Sequence, residues 1–574
     1  LSLSKEDLIL IHAPSVYDFR RESIFFGPVS DLVPSTPVFE MYPFGFTTMA
    51  TQLHKDGFRV RIVNLASMML NNKSLDAEAL LRRLDASVFG LDLHWLPHAQ
   101  GSLEVARLLK SMHPDARILM GGLSASYFYE ELIAYPQVDF VLRGDSTEVP
   151  LSTLMGTLES GGDLEQVPNL AWKEAGTSRV NPLTFVPENL DYLDIDYGWM
   201  IRSVIRHRDL EGFKPFKDWD RYPLTAVFSV RGCSMNCVVC GGSCSALRGF
   251  VSRVRPAFRN PERLAEDICN IQSYLDAPTF VVGDLRQGGK NYVERFFKEA
   301  RRLRIKNHVV LEIFTPAEED FYRSASRSLE RFSMQFSPDS HEESVRRALG
   351  RGFDTESIQR TVQHALGSEC QRFDMFFMIG LPRQTRESAL ASADFARSLY
   401  SLIDHDPRLS VYASPLAPFI DPGSRVFENP GAFGYRLFAN TLEEHRIRLM
   451  SPSWKYVLSY ETEWMTRDEI VGVSYDAADR LNEVRFEIGQ IDEGNLASRR
   501  ERTDVARGIM REVDRIMSLS GSEERRRELA ALKKRTDFLM ESTICEKLDL
   551  EWNTSRVFKN FPRVISGLLR SKRF

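Results

Sequence analysis

The stretch VRGCSMNCVVCGGSCSALRGF, residues 230–250, holds four of the seven cysteines of the chain. Three of them, Cys233, Cys237 and Cys240, stand in a C-x3-C-x2-C spacing directly after the apolar run LTAVFSV (224–230). Thiolates hold both zinc and iron–sulfur clusters. A closed zinc site needs four ligands, usually two C-x2-C pairs, and no second pair follows; Cys244 is the neighbour that would have to complete the set. Three thiols on one loop suit a [4Fe–4S] cluster with one iron left open. Zinc stays as the alternative.

Outward from this loop, the pattern alternates between strands and helices. Strands are expected at 224–230, 279–283, 308–314, 331–337, 373–379 and 408–414, with helical segments such as NPERLAEDICNIQSYL and ESALASADFARSLYS between them. Six β/α units predict a partial or full barrel over 223–430, whose active face lies at the carboxyl ends of the strands. Ahead of it, residues 1–150 show the same alternation, with strands at 8–13, 58–65, 86–93, 116–122 and 138–144. Nearly continuous apolar strands joined by short helices predict a doubly wound, Rossmann-like α/β domain. Its ligand crevice opens at the carboxyl ends of its strands. Residues 151–222 read as a connector with a hairpin at NLAWKEAGTSRVNP, and 431–574 as a mostly helical, highly charged C-terminal domain.

Composition bounds the function. The 574 residues are 43% hydrophobic and 27% charged with a net charge of −5, so a general nucleic-acid surface is not expected. No apolar run reaches the roughly 18 residues of a membrane span, and no membrane contact is expected. An odd number of cysteines bunched in one place is no disulfide framework. The first residues, LSLSKEDLILIHAPS, lack a signal-peptide pattern, so a cytoplasmic protein is expected.

The cysteine spacing, placed after the first barrel strand, resembles the radical S-adenosylmethionine (SAM) superfamily. Val239 stands where that family often has an aromatic residue. The resemblance implies a [4Fe–4S] cluster on Cys233, Cys237 and Cys240, with SAM chelated to the open iron. FVVGDLRQGG (280–289) falls where the family contacts the SAM amino group, which implies roles for Gly283 and Asp284. FSMQFSPDSHEESVRRALGRG (332–352) ends a strand with Gln335 and Ser337, the latter where relatives usually carry a ribose-binding glutamate. FFMIGLPRQT resembles the element that lies against adenine, carried by Gly380 and Pro382, and SPLAPFIDPGS (414–424) resembles the sixth-strand segment of the cobalamin-binding branch.

The first domain carries no G-x-G-x-x-G after its first strand. It does carry DLHWL (92–96), LMGGLSAS after the fourth strand and FVLRGDSTEVP after the fifth. This order of loops resembles the cobalamin-binding domain found ahead of many radical SAM barrels. The resemblance implies cobalamin contacts from Leu93, His94, Trp95, Gly121, Gly122, Leu123, Arg143 and Gly144. Glycine would let the backbone approach the nucleotide tail without a Cβ clash. DLHWL follows the third strand, not the first, and lacks the glycine of D-x-H-x-x-G, so no histidine ligand to cobalt is expected.

Together these features resemble cobalamin-dependent radical SAM enzymes. The resemblance implies methylation of an unactivated carbon or a phosphinate centre: a 5′-deoxyadenosyl radical opens the C–H bond and methylcobalamin supplies the methyl group. It also implies a small-molecule or biosynthetic-intermediate substrate and an external electron donor of the flavodoxin or ferredoxin type. Two alternatives stay open. One is a non-methylating rearrangement or cyclisation with the same motifs; the other is a cobalamin or redox sensor, which would normally carry an output module.

Overall fold

The computed structural model describes residues 5–25, 41–216, 219–416, 418–536 and 560–571. The first sheet begins with β1 (Glu6–His12), β2 (Val60–Asn64), β3 (Ala86–Asp92), β4 (Arg117–Gly121) and β5 (Phe140–Leu142). These five strands are parallel in the order β2-β1-β3-β4-β5. In β1, six of the seven residues of EDLILIH are buried, as expected where helices cover both faces of a sheet. The order reverses between β1 and β3, and such a switch point opens a crevice at the carboxyl ends.

The sheet does not end at residue 150. The hairpin formed by β6 (Leu170–Glu174) and β7 (Thr177–Val180) adds antiparallel to β5, so the first domain runs on through Val180. The edge of β5 would otherwise expose an unpaired row of backbone groups. The connector is therefore shorter than residues 151–222.

β8 (Thr225–Phe228) opens the second unit; a short antiparallel pair, β9 (Val230–Arg231) and β10 (Ala257–Phe258), flanks the cysteine loop. β11 (Thr279–Val282), β12 (Val309–Ile313), β13 (Phe332–Asp339), β14 (Phe373–Ile379) and β15 (Leu409–Pro415) complete a six-stranded parallel sheet, ordered as in the sequence. All six expected strands are present. The helix Pro261–Tyr274 starts where Asn260 accepts bonds from the Glu262 and Arg263 N–H groups, with proline at the first helical position. The residues pointing out towards the helices, such as Leu311, Met334, Phe336 and Phe373, are at most 1% exposed. Glu312, Gln335, Ser337, Phe376, Ser410 and Ser414 alternate with them, are half-buried and line the inner face. This face is partly polar.

The sheet stays open, and the C-terminal region covers its last edge. Arg485 donates to the Val411 carbonyl at 3.0 Å, and Gln490 to the Leu409 carbonyl at 3.0 Å. Arg485 lies on the helix Arg467–Glu487, which packs along β15. Beyond it run the helices Glu493–Met517 and Ser522–Thr536, and a two-stranded pair, β16 (Tyr435–Leu437) and β17 (Tyr460–Thr462), precedes them. Phe25, in the segment that follows β1, packs with Val513, Ile516 and Leu532. No helix among the described residues is long and apolar enough to cross a membrane.

Candidate functional site

The cysteine loop leaves β9 through Gly232, which holds a positive φ of 92°. Cys237 is buried, Cys233 and Cys240 half-buried, and desolvation pushes all three thiols above their ordinary pKa. Such thiols become thiolates only if positive charge or donors face them. Both are present: the Met235 N–H donates to Cys233 Sγ at 3.3 Å, and the Arg351 guanidinium stands beside Cys237 and Cys233. The site therefore fits an iron–sulfur cluster. Among the described residues, no group of three or more His, Cys, Asp or Glu converges closely enough to hold a single metal ion. The ligands of a cluster stand further apart around its cube and need less convergence.

Three strand-end loops of the barrel hold the cysteine loop, each through a residue the sequence reading passed over. After β11, Gln287 Oε1 accepts both the N–H and the hydroxyl of Ser234 at 2.7 Å. After β13, Leu349 takes the Val238 N–H at 2.9 Å, and a Cβ on Gly350 would lie 2.9 Å from the Asn236 carbonyl oxygen. Arg351 follows, 2.7 Å from Asp339, and its Nη1 donates to the carbonyls of Phe314 (2.5 Å) and Ser337 (3.1 Å). After β15, Asp421 accepts the Gly241 N–H at 3.0 Å. The stretches 280–289, 332–352 and 414–424 do meet at the cysteines. The residues that make the contact differ from those singled out in the sequence, and only their position in the folded chain marks them.

The residues expected around SAM are distributed unevenly. Gly283 follows β11 with φ 94° and gives its N–H to Glu312 at 3.0 Å. The Asp284 carboxylate is occupied inside the protein: it pairs with Arg286 at 2.5 Å and accepts the Phe314 N–H at 2.9 Å. Its expected contact with the SAM amino group therefore has a structural competitor. Gln335 lies on the inner face in register between Glu312 and Asp374, and Ser337 stands two residues further along β13. Glu312 was not foreseen; burial pushes its carboxyl above the usual range. Gly380 and Pro382 lie after β14, where the Gly380 carbonyl accepts the Tyr435 hydroxyl at 2.6 Å.

In the first domain, the loops after β3 and β4 form one wall of the crevice. Leu93 donates to the Gly121 carbonyl at 2.7 Å, and Ser124 and Ala125 donate back to His94 and Leu93. Gly121, Gly122 and Leu123 stay half-exposed there, and Trp95 is 36% exposed. An exposed tryptophan and a glycine-lined wall fit a flat apolar cofactor. Desolvation lowers the His94 pKa to about 4, which leaves its ring neutral. Below the wall, His12 Nδ1 meets Asp92 Oδ1 at 2.9 Å, and the His12 and His98 rings lie 4.7 Å apart. Burial opposes ionisation of Asp92, yet His12, and more weakly His98 and His94, hold its carboxyl below the ordinary value. Arg143 is drawn elsewhere: it donates to the Asn181 carbonyl and lies over the Tyr129 ring at 4.4 Å. Gly144 gives its N–H to Ser126 Oγ at 2.9 Å.

The two units touch at these loops. Glu148, just after β5, pairs with Arg231 at 2.5 Å, one residue before Gly232 and the cysteines. Tyr127 packs edge-on against Phe250 and Phe427 of the second unit, 5.7 and 5.6 Å away. Residues 32–151 match the family model of the B12 binding domain. The structure superposes over 75% of this chain on a radical SAM methyltransferase, TsrM from Kitasatospora setae, described with tryptophan and a SAM analog bound; the TM-score is 0.53 at 14% identity, and 78% of that chain is covered. It also superposes on OxsB, a cobalamin-dependent SAM radical enzyme described with aqua-cobalamin and SAM bound, with a TM-score of 0.52 at 11% identity over 99% of this chain and 80% of that one.

The fold is that of the cobalamin-dependent radical SAM enzymes. Sequence relatives match over a smaller share of this chain. An uncharacterized methyltransferase of Pyrococcus horikoshii is 24% identical over 62% of this chain and 71% of its own length. The anaerobic magnesium-protoporphyrin IX monomethyl ester cyclase of Synechocystis is 23% identical over 54% of this chain and 58% of its own length. The hopanoid C-3 methylase of Methylococcus capsulatus is 26% identical over 44% of both chains. The chain thus spans about half the length of the last two.

Proposed function

We propose that this chain is a cobalamin-dependent radical SAM methyltransferase acting on an unactivated carbon, or a phosphinate centre, of a small molecule. The observation that carries this reading is the loop of three desolvated thiols packed against the carboxyl ends of a sheet whose segment 32–151 matches the B12 binding domain. When bound, the cluster and SAM would supply a hydrogen-abstracting radical, and cobalamin the methyl group. Cys233, Cys237 and Cys240 would hold the cluster, and Arg351 would offset their negative charge. Gln335, Ser337 and the Gly283 turn would contact SAM. The His94–Trp95 and Gly121–Leu123 wall would carry the corrin, with no histidine on cobalt. The inner barrel face would orient the substrate, and the covering C-terminal helices would keep water out. An external flavodoxin- or ferredoxin-type donor would supply electrons.

A non-methylating reaction is the second reading, favoured by the relative named a cyclase. Anaerobic reconstitution tests both. The protein should take up about four irons, from one three-thiolate cluster site, and one corrinoid. Cys233→Ala, Cys237→Ala or Cys240→Ala should abolish the brown chromophore and SAM cleavage, whereas Cys244→Ala should spare both. Methyl transfer yields S-adenosylhomocysteine beside 5′-deoxyadenosine; 5′-deoxyadenosine alone would select the second reading. Loss of the cluster in Cys244→Ala with bound zinc would overturn the cluster assignment.

A further inference from the structure

The acidic loop after β5 is fastened to both flanks of the cysteine loop by two buried arginines. Arg231 grips Glu148 with two nitrogens: Nη2 lies 2.5 Å from Oε1 and Nη1 2.9 Å from Oε2. Thr48 Oγ1 donates to the same carboxylate at 2.7 Å and the Tyr192 hydroxyl at 3.2 Å. On the other flank, Arg253 pairs with Asp145, with Nη2 2.8 Å from Oδ1, and also reaches Ser146 Oγ at 3.3 Å. The Arg253 chain lies so close to Gly232 that a Cβ there would stand 2.7 Å from its Cδ. The side chains of both pairs are at most 11% exposed.

Burial decides what such pairs do. A solvent-exposed pair slides apart at little cost. A buried one resists, because withdrawing one partner strands a desolvated charge. The crevice loop at 144–148 and the strand entering the cysteines therefore move as one body. Gly144 and Gly232, at φ 115° and 92°, stand between the clasp and the two ligand-bearing stretches.

We propose that the Arg231–Glu148 and Arg253–Asp145 clasp is a positioning device that makes corrinoid binding in the crevice and cluster binding on the cysteine loop mutually reinforcing. Either ligand orders its own loop, the clasp orders the other, and the second ligand meets a site already arranged. Thermodynamic linkage makes the effect reciprocal. This inference rests on the proposed function, and neither Asp145, Ser146 nor Glu148 has a role in that reading.

The test is titration of the full chain with hydroxocobalamin, before and after anaerobic cluster reconstitution. The cluster-loaded chain should bind at least about fivefold tighter, the lower end of typical coupling between sites. Hydroxocobalamin should in turn slow iron loss to a chelator. Glu148→Gln, which keeps shape but not charge, should bring the affinity ratio close to one while both groups still bind. Asp145→Asn, at the outer pair, should lower it partway. Wild-type protein that binds both groups with a ratio of one overturns the clasp and leaves the proposed function standing, as does an undiminished ratio in a folded Glu148→Gln. A chain that binds neither group overturns both.

Discussion

Gly121 and Gly122 are adjacent in the sequence but serve different ends. At Gly122, φ is 117°, and a Cβ would lie 2.5 Å from His94 Cα and 2.6 Å from its nitrogen. Both neighbours are backbone, so no side-chain rotation relieves the clash. Gly122→Ala should therefore destabilise the protein by about 1–3 kcal/mol, the cost of strain at a special backbone position. At Gly121, the nearest atom is the Leu142 carbonyl oxygen at an ordinary 3.5 Å. Gly121→Ala should leave the unfolding midpoint within about 0.5 kcal/mol of wild type and still weaken hydroxocobalamin retention, because its methyl group would enter the crevice. Urea unfolding followed by corrinoid titration separates the two. Full retention in Gly121→Ala would mean that the cofactor tail does not pass this point. The pair reads as one Gly-Gly motif in the sequence, since the approach of the His94 loop exists only after folding. Gly101 was likewise hidden: a Cβ there would lie 1.7 Å from the Pro14 carbonyl oxygen, so this glycine lets the helix Ala99–Met112 rest against the loop after β1.

The strand β15 owes its stability at the open edge to groups from the C-terminal region. The Val411 carbonyl takes its bond from Arg485, whereas Leu409 has both Gln490 and, at 3.3 Å, the Tyr400 hydroxyl. Arg485→Leu should cost about 1–3 kcal/mol, the usual penalty for an unsatisfied buried polar group. Gln490→Leu should cost less, because Tyr400 remains. A lower urea midpoint at unchanged slope would register this; equal losses in the two variants would show that the carbonyls are not what these side chains protect. The strands themselves were plain in the sequence, because runs such as LILIHA and FFMIG are apolar on both faces and bounded by turn residues. The hairpin was legible too, but not its attachment to β5, which depends on an edge that no local pattern announces. The same holds for the candidate site. The resemblance to the radical SAM superfamily pointed to the loops at 280–289, 332–352 and 414–424. That Gln287, Arg351 and Asp421 are the side chains reaching the cysteines is set by how the barrel curves. In Asp284, the acid chosen from the motif turned out to be held by Arg286 two residues on.

The two units meet so that the carboxyl ends of β4 and β5 lie over the loop that leaves β9. Arg231 and Glu148 join them by an ion pair, and Tyr127 joins them by its aromatic contacts with Phe250 and Phe427. Phe25, packed with Val513, Ile516 and Leu532, fastens the segment after β1 to the C-terminal helices. A radical reaction requires a corrin on the wall of the first sheet and a cluster on the thiols to share one space between these contacts. Reacting atoms must approach to about 3–3.5 Å, so a cofactor separation on the order of 10 Å leaves room for an adenosyl group and a small substrate. Two paramagnets that close perturb each other. Protein loaded with both groups and reduced to cob(II)alamin and [4Fe–4S]+ should show a broadened, fast-relaxing cob(II)alamin signal by electron paramagnetic resonance. The broadening should vanish when the cluster is oxidised, and in Cys233→Ala, which retains corrinoid but no cluster. A spectrum equal to the sum of two unperturbed signals would place the cofactors on separate faces. That result would remove the methyltransferase reading and the rearrangement reading together, since both need one substrate within reach of both groups.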